Sequence, residues 1–101
     1  MRACSLSELP EEGALRVELD GKPICIARSQ GEVFAISDIC SHADVSLSEG
    51  DVEDGTVECW LHGSRFDLRT GQCLDDSHVR VPAYDVKILD GVVHVGSRLA
   101  A

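Results

Sequence analysis

The sequence is poor in aromatic residues, in basic residues and in long apolar runs. Only Phe34, Trp60, Phe66 and Tyr84 are aromatic, 4% of 101 residues. The basic stripe interleaved with aromatics that would stack single-stranded nucleic acid is therefore missing. Lys and Arg number 9 against 18 Asp and Glu, a formal net charge of −9. Such a balance repels nucleic-acid phosphates and anionic membranes and favours basic protein surfaces as partners. No stretch approaches the roughly 20 apolar residues of a membrane span. The start, Met1-Arg2-Ala3-Cys4-Ser5-Leu6, has no apolar run of secretion-signal length. The expectation is a soluble, cytoplasmic protein. There is no phosphate loop and no GxGxxG. Ser41 and Ser64 have no evident acid–base partner that would make either a nucleophile.

Apolar residues, at 44%, mark a globular chain, and its length fits one domain over 1–101. The apolar pattern is short and alternating, which predicts strands, and no segment keeps a helical period. Ala14 to Leu19, Lys22 to Arg28, Glu32 to Ser37, Thr56 to Cys59, Arg65 to Leu68, Gln72 to Leu74, Tyr84 to Leu89 and Val92 to Val95 are the predicted strands. Asp20-Gly21, Gln30-Gly31, Thr70-Gly71 and Asp90-Gly91 are hairpin signals. Ser7 to Glu12 allows one short helical turn capped by Ser7. The fold class is all-β. The flanks, about 1–37 and 82–101, would pair into a base, with 38–81 as an insertion between them.

The chain has five cysteines and four histidines. An odd cysteine count in a reducing compartment favours metal binding over a disulfide framework. Cys40-Ser41-His42 is followed, sixteen residues on, by Cys59-Trp60-Leu61-His62. Each loop thus offers one thiolate and one imidazole. That donor set suits zinc or an iron–sulfur cluster. Structural zinc sites usually pair like with like at wider spacing. Two mixed loops suit a two-iron cluster in which one iron takes both cysteines and the other both histidines.

These motifs, with Leu47 to Gly50, Gly63, Phe66-Asp67 and Thr70-Gly71, resemble the Rieske-type ferredoxins of bacterial aromatic-ring dioxygenase systems, over nearly the whole chain. The resemblance implies a Rieske iron–sulfur fold, an antiparallel basal sandwich plus a small cluster-binding subdomain. It implies one [2Fe–2S] cluster on Cys40, His42, Cys59 and His62. It also implies a one-electron carrier, not an enzyme, between a flavoprotein reductase and a terminal ring-hydroxylating oxygenase. A monomer is expected. The alternatives are a small subunit of a nitrite-reductase-like complex and, in another class, a zinc-stabilised interaction module.

Around the ligands, Gly63 is expected to bring its amide to the cluster, and Leu47 and Trp60 to shield it from water. Gly50 and Gly71 read as turn glycines. In the respiratory branch of the family two further cysteines form a disulfide; Val45 and Leu61 stand in their places. Ser64 keeps that branch's serine, whereas Phe66 replaces its tyrosine, removing one hydrogen bond that would favour the reduced cluster. Asp44, Glu49, Asp51, Glu53, Asp54 and Glu58 lie between the ligand pairs with no Lys or Arg among them. Both features predict a low potential. Cys25 reads as a packed small side chain, Cys4 and Cys73 as exposed thiols, His94 as solvent-facing, and His78 as a neighbour of the site at most.

Overall fold

The computed structural model describes residues 2–39, 45–60 and 63–99. Nine strands are formed: β1 Arg2–Ser5, β2 Gly13–Leu19, β3 Lys22–Ser29, β4 Glu32–Ser37, β5 Val52–Glu53, β6 Thr56–Glu58, β7 Arg65–Asp67, β8 Ala83–Leu89 and β9 Val92–Leu99. Two 3₁₀ turns, Leu6–Glu8 and Leu47–Glu49, complete the regular structure of the described residues.

Two-residue turns set the hairpins. Asp20-Gly21, Gln30-Gly31, Asp54-Gly55 and Asp90-Gly91 all have positive φ at both positions. That is the type I′ geometry whose twist matches the flanking strands. Asp54-Gly55 joins β5 to β6; β6 matches the expected strand from Thr56, whereas β5, two residues long, is too short to show a period.

One antiparallel sheet runs β1-β9-β8-β4-β3-β2. Its outer strands β1 and β2 come back to within 8 Å of each other. The expected basal sandwich is thus a single sheet folded back on itself. Its interior holds Leu15, Val17, Leu19, Ile24, Ile26, Val33, Ala35, Val93 and Val95. A second sheet, β5-β6-β7, is laid against its outside. Between them lies another core of Cys25, Ala27, Ile36, Leu47, Val57, Cys59, Phe66 and Leu68.

The central strands β3 and β4 explain their own sequence. Ile24-Cys25-Ile26-Ala27 and Val33-Phe34-Ala35-Ile36 are continuous rather than alternating, because both faces are covered. The terminal strand β1 went unpredicted, since only Ala3 and Cys4 of it are apolar. Its pairing with β9 is tertiary. The 3₁₀ turn also starts earlier than expected. Ser5, not Ser7, precedes it, and the Ser5 N–H donates to Glu8 Oε2 at 2.9 Å.

Candidate metal centre

Cys59 follows β6 directly and is fully buried, with a free thiol. Its N–H donates to the Ser64 carbonyl, and its carbonyl accepts the Gly63 N–H, both at 2.7 Å. These two bonds close a tight loop between residues 59 and 64. Gly63 supplies the bend, with φ +72° and nothing within 4 Å of where a Cβ would stand. The Gly63 amide thus donates to the Cys59 carbonyl within the loop.

The other loop leaves at Ile39 and returns at Ser46, which form an isolated antiparallel bridge. Cys40, His42 and His62, like Leu61, lie outside the described residues. The segment after the first loop leans on the strand before the second. Leu47 and Cys59 share one core, and the Glu58 N–H donates to the Asp51 carbonyl at 2.9 Å. Gly50 is needed here for close approach, not for its φ of −87°. A Cβ on it would run into the Glu58 carbonyl oxygen.

Leu47 is sealed and Val45 packs against the same core, whereas Trp60 is 53% exposed. Leu74, 55% exposed, follows the same hairpin, its N–H bonded to the Arg65 carbonyl at 2.8 Å. Phe66 is fully buried, paired with Val57 and bridged to Cys73. Ser64 is half-buried.

Cys4 and Cys73 are buried, not exposed. Cys73 lies in the core with Cys59, and Cys4 in the interior of the folded sheet. Burial, with Glu8 nearby, pushes the Cys4 thiol up. Burial also pushes Cys25 well above the ordinary thiol range, and Asp38 adds to it. His78 is exposed; His94 is half-buried, on the face opposite buried Val93 and Val95 and across from exposed Lys87, in keeping with the expected alternation.

Two features escaped sequence reading. Arg65, from β7, reaches Glu53 at 3.7 Å and donates to Thr56 Oγ1 at 2.9 Å. Arg16, from β2, pairs at 3.5 Å with Asp38, which is fully buried. Glu53 of the acidic stretch, and Asp38 ahead of it, are thus each met by an arginine from elsewhere in the chain, which spacing along one segment cannot show.

The donor set fits a soft metal group. Cys59 is a buried unpaired thiol on a closed loop, backed by apolar side chains that limit water.

The model of the Rieske [2Fe–2S] domain family matches residues 1–85. The chain belongs to that family. It is 42% identical over 95 residues to the 3-phenylpropionate/cinnamic acid dioxygenase ferredoxin subunit of Photorhabdus laumondii, covering 91% of this chain and 89% of that one. Among solved structures it is similar to the ferredoxin of carbazole 1,9a-dioxygenase from Nocardioides aromaticivorans, with a TM-score of 0.88 and 32% identity, covering 97% of each. A complex of reduced oxygenase and oxidized ferredoxin in carbazole 1,9a-dioxygenase contains a further match, with a TM-score of 0.89, 27% identity and cover of 100% and 95%. The relatives are ferredoxins, electron-transfer components rather than catalytic ones, and the family's cofactor is a Rieske [2Fe–2S] cluster. No helix of the described residues is long and apolar enough to cross a membrane.

Proposed function

We propose that this Rieske protein is a cytoplasmic one-electron carrier serving a ring-hydroxylating oxygenase and reduced by a flavoprotein reductase. The buried free thiol of Cys59 on its closed loop carries the reading. Cys40, His42, Cys59 and His62 would hold the cluster, and residues 38–81 would form the cluster-binding part. When bound, the cluster supplies a single site that accepts and releases one electron. The chain's own residues do the rest. The pinned loop ends hold the ligands, and Leu47, Val57 and Phe66 back the site with apolar surface. Trp60 and Leu74, both exposed beside the second loop, suit a docking face for the oxygenase. The acidic residues between the ligand pairs disfavour adding an electron. That supports a midpoint in the lower part of the family span of about −150 to +300 mV.

The test is to purify the protein, measure iron and acid-labile sulfide, and record EPR after reduction. Two irons and a rhombic signal are expected, and both should vanish in Cys59→Ser. A colourless protein holding zinc would overturn the reading. Isolation only as a tightly bound part of a larger reductase would replace the free carrier with a permanent subunit.

A further inference from the structure

Asp38 is a fully buried carboxylate two residues before Cys40. Its Oδ1 accepts the Ser48 N–H at 2.8 Å, and its Oδ2 accepts the Ser46 hydroxyl. The Ser46 and Ser48 hydroxyls are themselves 2.8 Å apart. The Asp38 carbonyl accepts the Leu47 N–H at 2.6 Å, and its N–H donates to the Pro23 carbonyl on β3 at 3.1 Å. Arg16 Nη1 on β2 lies 3.5 Å from Oδ2. One residue thereby joins both ends of the 40–44 loop to the large sheet.

Burying a carboxylate is costly, and an apolar residue of similar size often serves stability as well. Leu47, in the same segment and fully buried, shows that apolar packing is available there. What an apolar side chain cannot do is fix two donors, at residues 46 and 48, in one orientation. A carboxylate offers two acceptor oxygens in a rigid plane. An amide offers one.

We propose that Asp38, oriented by Arg16, is the positioning residue of the first ligand loop. The inference rests on the reading of Cys40 and His42 as ligands. Asp38 touches no cluster atom in this scheme. It acts by holding the loop in the shape that presents them. Support from outside the ligand shell typically governs how tightly a metal is kept.

The experiment uses the purified holoprotein with the variants Asp38→Ala, Asp38→Asn, Arg16→Gln and Arg16→Lys. Loss of the cluster to a chelator is followed by bleaching, and the EPR spectrum of the reduced protein is recorded. Ile26→Val, in the interior of the folded sheet, is the control for stability alone. Asp38→Ala is expected to lose the cluster about tenfold faster, with altered g values. Asp38→Asn should fall between it and the wild type. Arg16→Gln should speed loss, and Arg16→Lys should restore much of the wild-type rate. Ile26→Val should lower Tm and leave both readouts unchanged. If Asp38→Ala does not fold, Asp38→Asn and Arg16→Gln decide. A lowered Tm with wild-type loss rate and g values in the Asp38 variants would reduce the network to a structural one and overturn the proposal. Altered Asp38 variants beside an unaltered Arg16→Gln would overturn the part given to Arg16. A wild-type protein without iron and a rhombic signal would overturn the ligand reading itself, a result distinct from either.

Discussion

Ser64 gives its carbonyl to the Cys59 amide, so residue 64 sits across the loop from the buried thiol's own residue. A hydroxyl there that donates to a cluster sulfur would stabilise the reduced form. Ser64→Ala is then expected to lower the midpoint by about 40 mV, the one-electron equivalent of a hydrogen bond of about 1 kcal/mol. Redox titration checks this, and an unchanged midpoint would mean the hydroxyl is turned elsewhere. Glu12 is the other residue with a measurable signature. Its carboxylate accepts the Gln30 N–H and the Ser29 hydroxyl, and Ser29 Oγ in turn accepts the Gly55 N–H at 2.8 Å. The Gln30 amide first, and the Ser29 hydroxyl next, hold its carboxyl below the ordinary glutamate value. A folded pKa below the unfolded one means stability present above about pH 4.3 and lost as pH falls through the lower folded value. Glu12→Ala should therefore unfold at a lower temperature at pH 7, and its gap to wild type should narrow in acid. A gap that does not narrow as the pH is lowered from 7 through the acid range would rule this out.

The hairpins of the large sheet were legible in the sequence, the small sheet far less so. Asp20-Gly21 and Asp90-Gly91 announce themselves because a type I′ turn has few solutions in side chains. Gln72 to Leu74 was expected as a strand, yet it makes only bridges, Phe66 to Cys73 and Gln72 to Arg80. The reason is Gly71. Its N–H donates to the Asp67 carbonyl and its carbonyl accepts the Val81 N–H, so the chain is held to two neighbours at once. At φ +79° a Cβ on Gly71 would run into the Val81 carbonyl oxygen, whereas a Cβ on Gly21, at φ +77°, meets nothing within 4 Å. The two glycines separate conformational cost from collision. Gly21→Ala should cost about 1–2 kcal/mol for the left-handed backbone alone. Gly71→Ala should cost about 3 kcal/mol or more, a Tm lower by about 10 °C or beyond. Equal losses in thermal denaturation would show that the approach to Val81 relaxes freely. Spacing also suggested the proposed ligand set, of which only Cys59 lies among the described residues. Asp38 and Arg16 were not readable, because a pair separated by a whole hairpin leaves no local pattern.

At the scale of the molecule, a net charge of −9 and two exposed apolar side chains beside the second loop would divide the work of the proposed docking. Charge acts at long range, over a Debye length of about 10 Å at 0.1 M salt, and sets how often partners meet. Trp60 and Leu74 act only on contact, by leaving water, and set how long they stay. The two contributions respond differently to salt. Electron transfer to an oxygenase partner with a basic docking face should slow about tenfold between low and high ionic strength. Trp60→Ala should weaken the complex at every salt concentration while leaving the slope against salt unchanged. Stopped-flow rates of oxygenase reduction, taken across a salt series for both proteins, measure both effects. A flat salt profile would remove electrostatic steering. A slope altered by Trp60→Ala would show that contact and steering are not separable, and would overturn this division of the work between charge and apolar contact.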